Sequence, residues 1–377
     1  EGGSHSGLPY DGTVVPHYGQ KISNTFYEGE DDYDKYDRRE NMVGYNVEHL
    51  FDNGWSVRQK LRYLHTDVEL NQVYAAGWLN ETELNRGYSG SDEKMSAITL
   101  DNQFDGSFDT WQVNHRLLVG IDYQDRSNNT TGYYGAFPPI DAFNPVYGAQ
   151  PDYINMYARE KHKLRQTGYY LQDQMSWDRW RITLGGRYDQ VSVSNIDKIN
   201  DTRSDLDKNN FSTRAALLYL FDNGFAPYVS YSTAFTPTSF ADENGNLLDP
   251  MKGKQWEAGL KYEPEGLNSQ FSASVFRINQ TNIATKEEPT DPYRSIGEIE
   301  SEGVELEAIS QLTDSFRLQA AYTYTDIRYK KSSPEEQGKR AVYAPRNQAS
   351  TWLSYDVKSG PLDGLTLGSG VRYVNGI

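Results

Sequence analysis

The chain contains no cysteine, so neither a disulfide framework nor a thiolate metal centre can hold it together. No stretch approaches the roughly 18 to 20 consecutive apolar residues that a membrane-spanning helix needs, so any membrane role must use strands or surface contact. Positive charge is scarce: 37 Lys and Arg stand against 53 Asp and Glu, a net charge of −16. A phosphate backbone would be repelled, and nucleic acid is excluded as a partner. The stretch Glu1 to Tyr10 has neither a charged n-region nor an apolar h-region, so a signal peptide is expected to lie outside this sequence.

Aromatic residues are abundant by contrast. They make up 13% of the chain, and 29 of them are Tyr. Rings with a polar tip suit a membrane interface. They sit within segments of strict alternation, the pattern of strands with one apolar face. Trp55, Val57, Leu61 and Tyr63 fall on one face while Ser56, Arg58, Lys60 and Arg62 fall on the other. Trp111, Val113, Leu117, Val119 and Ile121 oppose Gln112, Asn114, Arg116 and Asp122 in the same way. The pattern returns at Trp180, Ile182, Leu184 and Tyr188 against Arg181, Thr183, Arg187 and Asp189, and again at Phe316, Leu318, Ala320, Tyr322 and Tyr324 against Arg317, Gln319 and Thr323. A water-soluble core would not accept so many charges at strand spacing.

Turn chemistry punctuates these segments at Asp52-Asn53-Gly54, Asp105-Gly106, Asp178-Arg179, Asp222-Asn223-Gly224, Pro264-Glu265-Gly266, Thr313-Asp314 and Ser359-Gly360-Pro361. Between them lie long polar connections at 66–94, 125–162, 192–208, 236–252, 279–298 and 327–345. Seven tight turns imply about 14 strands, with short turns at one end and long loops at the other. The reading is all-β: a transmembrane antiparallel β-barrel with extracellular long loops. A secreted β-sandwich or propeller is the soluble alternative. Rings beside the short turns, at Trp55, Trp111, Trp177 and Trp180, favour the membrane.

Several stretches together resemble the barrel of TonB-dependent siderophore receptors: TGYYLQDQMSWDRWRITLGGRYD (Thr167 to Asp189), FDNGFAPYVSYSTAFTPTS (Phe221 to Ser239), KGKQWEAGLKYEPEG (Lys252 to Gly266), SEGVELEA (Ser301 to Ala308) and GPLDGLTLGSGVRY (Gly360 to Tyr373). The stretch from Met42 to Tyr63 and the segment LLVGIDY (Leu117 to Tyr123) extend the resemblance over nearly the whole chain. Within the family the chain is most similar to the receptors for ferrichrome and ferrioxamine. The resemblance implies a barrel of about 22 strands around a plug domain. Residues 1–377 are then expected to be one partial barrel domain, with the plug, the box that binds TonB and the C-terminal strands outside the chain. It further implies an outer membrane of a Gram-negative cell, a ferric hydroxamate siderophore as ligand, the TonB complex as partner through the plug region, and lipid and lipopolysaccharide around the wall. A porin-like channel without a plug is the alternative, lined by lumenal charges such as Arg58, Arg116, Arg187 and Glu305.

Iron reaching such a receptor is already chelated, so no cofactor and no metal site are expected. Of six His, only His49 and His65 fall on neighbouring strands, and zinc needs three or four converging ligands. The acidic run Asp31, Asp32, Asp34 and Asp37 lacks the glycine and closing Glu of a calcium loop. Ser230 and Ser232 have no His assigned near them and no nucleophile elbow, so no catalytic residue is expected and the chain is not read as an enzyme. For the ligand, the resemblance implies rings from VYAAGW (Tyr74, Trp78), YYGAF (Tyr133, Tyr134, Phe137) and YSTAFTP (Phe235). The YYGAF ring order departs from the ferrichrome type, which leaves the choice of hydroxamate open. Each ring has a plainer alternative role in packing a loop or anchoring the interface.

Overall fold

The computed structural model describes residues 7–286, 291–342 and 344–375. Fourteen antiparallel strands form a single sheet in which spatial order follows sequence order throughout. The first half comprises β1 (Lys35–Leu50), β2 (Ser56–Trp78), β3 (Glu83–Thr110), β4 (Val113–Asp141), β5 (Tyr153–Trp177), β6 (Trp180–Asp197) and β7 (Thr202–Tyr219). The second comprises β8 (Phe225–Thr236), β9 (Met251–Tyr262), β10 (Ser269–Thr285), β11 (Arg294–Gln311), β12 (Phe316–Lys331), β13 (Asn347–Asp356) and β14 (Thr366–Asn375). No helix occurs among the described residues.

The alternation in the sequence becomes the two faces of this sheet. Val57 stands opposite Phe104, then Val119, then Leu171 in one apolar row. The next row runs Arg58, Gln103, Gly120, Tyr170 and Arg187. Side chains in register share a face, so the two rows lie on opposite sides. Hydrogen bonds knit the polar side together. Arg187 donates to Asp122 Oδ1 and Asp189 Oδ1, both at 2.9 Å. Arg58 donates to Glu48 Oε1 at 2.9 Å and Gln103 Oε1 at 2.8 Å, and the Tyr170 hydroxyl donates to Asp101 Oδ1 at 2.6 Å. A register slip of one residue would turn these groups into hydrocarbon, at about 2 to 4 kcal/mol per Arg near the midplane.

Connections at one end are short, at 51–55, 111–112, 178–179, 220–224, 263–268, 312–315 and 357–365. One of them is not where turn chemistry places it. Asp105-Gly106 lies inside β3, which continues to Thr110 and turns at Trp111-Gln112, where Trp111 itself adopts φ 55°. Gly106 serves packing instead: a Cβ there would fall 2.2 Å from Cδ2 of Trp55, whose ring covers it.

At the other end the strands replace much of the expected loop. β2 runs to Trp78 and β3 starts at Glu83, so 66–94 is almost entirely paired strand, and β4 and β5 take up most of 125–162. Crossing a membrane takes roughly 9 to 11 residues, whereas β3 has 28 and β4 has 29. Backbone pairing does not require an apolar face, and polar sequence therefore stays in the sheet. The segment 7–34 packs against this overhang, on the side that carries Val57 lower down. Ile22 joins Ala75, Leu84, Ile140 and Ala142, and Tyr33 meets the edge of Phe137 at 5.0 Å. Arg86 reaches Glu30 at 2.8 Å with their side chains only 1% and 2% exposed.

Candidate ligand-binding site

The other side of the overhang, continuous with the polar face, gathers tyrosines. Tyr74, Gly87, Ala136 and Tyr153 form one row across β2 to β5, and Tyr134 lies in the adjacent row of that face between Ser89 and Asn155. A bulge between Gly132 and Tyr133 in the β4/β5 pairing brings Tyr157 to the same side. The Tyr134 ring stands 6.1 Å from each of Tyr153 and Tyr157. Two glycines leave room for these rings to lie against the sheet. A Cβ at Gly87 would fall 2.6 Å from Cζ of Tyr74, and one at Gly132 would fall 2.7 Å from Cζ of Tyr157.

What separates this cluster from the tyrosines on the opposite face of the overhang is the state of its hydroxyls. Tyr33 donates to Gln150 at 2.5 Å, Tyr88 to Asn71 at 2.7 Å and Tyr133 to Asp92 at 3.4 Å. Burial, then the charge of Asp92, raises the pKa of the Tyr88 and Tyr133 phenols. Among the described residues nothing bonds the hydroxyls of Tyr74, Tyr134, Tyr153 or Tyr157, and the last three side chains stand 47%, 49% and 60% exposed. Rings supply apolar contact and their hydroxyls can donate to a carbonyl or hydroxamate oxygen.

The rings expected from the sequence divide accordingly. Tyr74 and Tyr134 come together. Tyr133 and Phe137 fall on the opposite face by alternation, and Phe137 is only 1% exposed, packed with Val73 and Tyr88 under Tyr33. Trp78 stacks on His17 at 3.8 Å and donates its indole N–H to the Asp11 carbonyl at 2.8 Å, so it clamps the segment 7–34. Phe235 lies at the foot of the connection 237–250, against Val191, Val193 and Leu247. That connection folds onto the polar face: Asn195 donates to the Ser239 carbonyl at 2.8 Å, and Lys208 pairs with Asp249 at 2.8 Å. It roofs a cavity of about 300 Å³ lined by Met95, Arg126, Asn128, His162 and Asn195. His49 stands opposite Val57 and His65 opposite Asn41, at different heights of the β1/β2 pair. Asp34 of the acidic run accepts the Val73 amide at 2.6 Å, a structural tie. Ser230 faces Ala216 and Glu257, and Ser232 faces Arg214 and Gln255.

Residues 2–376 match the family model described as TonB dependent receptor-like, beta-barrel. The chain belongs to this family. Its apolar face is therefore the lipid face of a barrel wall, and its polar face is the lumenal one. The chain is 88% identical over its whole length to the ferrioxamine B receptor of Salmonella typhimurium strain LT2, covering 54% of that protein. It is 37% identical to the ferrioxamine receptor of Yersinia enterocolitica, over 99% of this chain and 53% of the relative. A third relative, the ferrichrome outer membrane transporter/phage receptor of Escherichia coli K12, is 35% identical over 99% of the chain and 53% of its own length. The chain spans about half the length of these curated relatives. Among solved structures, the ferric-catecholate import receptor Fiu of Escherichia coli K12 superposes with a TM-score of 0.82 at 15% identity, over 94% of this chain and 56% of that one. The ferripyoverdine receptor of Pseudomonas aeruginosa gives 0.78 at 23% identity, over 94% and 48%. These two likenesses concern the fold alone.

Proposed function

We propose that this chain is the barrel wall of an outer-membrane receptor that takes up ferric hydroxamate siderophores, energised through TonB, with the siderophore seated on Tyr74, Tyr134, Tyr153 and Tyr157. The observation that carries the reading is a set of lumenal tyrosines, three of the four exposed, whose hydroxyls have no bond within the described residues. A wrapped ferric hydroxamate is compact and mostly apolar outside, with carbonyl oxygens at its surface, and rings with hydroxyl tips match that chemistry. Phe235 and the cavity under 237–250 extend the same surface toward β6. Iron enters as cargo inside its chelator, so the wall needs no metal ligands of its own.

A ferric catecholate carries strong negative charge and needs converging cations. Along 125–162, Arg159 and Lys161 stand opposite Thr131 and Asn129 on the lipid-side face, and Arg126 is the Arg or Lys left on the lumenal one. The cations of the outer face suit a different partner. Lys94 and Lys161 flank Asn129 in one row, with Lys163 in the next, above outward rings such as Tyr123 and Tyr169. The phosphates of lipopolysaccharide would meet them there, and lipid would surround the apolar band below.

The test is tryptophan fluorescence quenching of the full-length receptor titrated with ferrioxamine B, ferrichrome and a ferric catecholate. Saturable quenching by a hydroxamate is expected. Saturation by the catecholate alone would refute the ligand class, and no saturation with any of them would favour a porin-like channel.

A further inference from the structure

The connection 237–250 is fastened to the lumenal face of β6 and β7 at both ends. Toward β9, Lys208 pairs with Asp249 at 2.8 Å, the Ser204 hydroxyl donates to the Gly245 carbonyl, and Leu247 is buried beside Val191 and Val193. Toward β8, Pro237, Thr238 and Ser239 roof the cavity of about 300 Å³. Asn195 holds that end, donating Nδ2 to the Ser239 carbonyl at 2.8 Å. The row of side chains beneath runs Asn128, His162, Asn195 and Ser204, each directly opposite the next.

His162 stands in the middle of that row with both ring nitrogens against oxygens that cannot donate. Nε2 lies 2.9 Å from Glu160 Oε2, and Nδ1 lies 2.8 Å from Asn195 Oδ1. A carbonyl only accepts, so the Ser239 bond fixes the Asn195 amide with its nitrogen toward Ser239 and its oxygen toward His162. A neutral imidazole carries one N–H and satisfies one of the two contacts; an imidazolium carries two and satisfies both. His65 differs, because its Nδ1 meets the Ser96 hydroxyl at 2.9 Å and a hydroxyl donates as readily as it accepts. The charged groups around His162 are Glu93 and Asp197 in the row of Glu160, Arg126 on the other side of the Asn128 row, and the Lys208–Asp249 pair. Lys163 alternates to the opposite face, and Asp242 is committed to its own turn, accepting the amides of Asn244 and Asn246. Three carboxylates favour the imidazolium and Arg126 opposes it.

We propose that His162 is a proton-operated latch: as an imidazolium it links Glu160 to Asn195 and holds residues 237–241 against the wall, and as a neutral ring it lets them go. A hydrogen bond to a carboxylate is roughly twice as strong as one between neutral groups, so the single proton of a neutral ring stays on Nε2 for Glu160. Nδ1 then turns a lone pair on Asn195 Oδ1. The amide relieves this by turning over, which sets its oxygen against the Ser239 carbonyl and breaks the tie. Leu247 and Asp249 keep the far end anchored, so residues 237–241 swing away and unroof the cavity. The latch is closed in acid and opens as pH rises, across the range of about pH 5 to 8 in which imidazole ordinarily changes charge. It depends on the wall alone and not on which ligand the lumen takes.

Hydrogen exchange on the full-length receptor without ligand, at about pH 5.5 and about pH 8, tests the latch. Protection factors are compared, which removes the intrinsic pH dependence of exchange. The amides to follow are Phe240, bonded to the Thr238 hydroxyl, and Leu248, bonded to the Phe240 carbonyl at 2.9 Å. Their protection is expected to fall about fivefold at the higher pH, the worth of one hydrogen bond, with amides at the short-turn ends unchanged. In Glu160→Gln the side-chain amide can donate to Nε2 of a neutral ring, which leaves the proton on Nδ1 for Asn195, so protection should stay high at both pH values. In Asn195→Ala it should be low at both. Equal protection in the parent at the two pH values, or a pH dependence that survives in either variant, would overturn the proposal. Each protein is its own reference, and should Asn195→Ala fail to fold, the parent and Glu160→Gln decide.

Discussion

Replacing Tyr74, Tyr134 and Tyr153 together by Ala is expected to weaken ferric hydroxamate binding by the full-length receptor about 100-fold. Each ring contributes contact and one hydroxyl donor worth about 1 kcal/mol, and about 1.4 kcal/mol is a factor of ten. The informative control is Tyr133→Ala. Tyr133 adjoins Tyr134 in sequence but stands on the opposite face, where its hydroxyl meets Asp92. Its loss should change affinity less than about threefold, within the range of an ordinary surface substitution. Isothermal titration on both variants checks this. Comparable losses in the two would mean that the lumenal face is not the binding face.

The second large effect concerns the buried pair that fastens segment 7–34. Glu30 accepts Arg86 Nη1 and the Gly148 amide, at 2.8 and 2.9 Å, while Arg86 Nε donates to the Pro138 carbonyl at 2.9 Å. Arg86→Ala strands a carboxylate with almost no solvent access, which costs about 3 to 5 kcal/mol. Replacing both partners by apolar residues, Glu30→Leu with Arg86→Met, should recover much of that loss, because no charge is then left buried. Hydrogen exchange separates local from global effects. Amides of segment 7–34 and of the β3 and β4 ends near Arg86 should exchange faster in the single variant, with the short-turn ends unchanged. Unchanged exchange near Arg86 would show that the pair does not hold the segment.

How far the sequence discloses this molecule depends on which constraint acts on each stretch. Around Val57 and Val119 the membrane forces side chains to alternate, and the faces are readable residue by residue. At Gly106 the same residue type that marks turns makes room for the Trp55 ring, and sequence does not distinguish the two uses. Beyond the membrane no apolar face is demanded, so the polar ends of β2 to β5 read as loops although their backbones stay paired. The proposed ligand wall is legible in part for the same reason. Counting by twos from Val119 places Tyr133 and Phe137 on the lipid-side face and Tyr134 on the lumenal one, a signal present in the sequence. Tyr153 and Tyr157 escape that count. The bulge opposite Gly132 and Tyr133 shifts β5 by one residue, and nothing in the local composition announces it. Trp78 is hidden differently, because its stacking partner His17 lies on a segment distant in sequence.

The central claim is that this wall belongs to a pump-like receptor for ferric hydroxamates rather than to an open pore. The most direct measurement is uptake of radiolabelled iron by cells in which the full-length protein is the sole siderophore receptor, with and without collapse of the inner-membrane proton gradient. Uptake from a ferric hydroxamate that stops when the gradient collapses is the expected result. Uptake from a ferric catecholate alone, or entry of the hydroxamate that persists without the gradient, would contradict it.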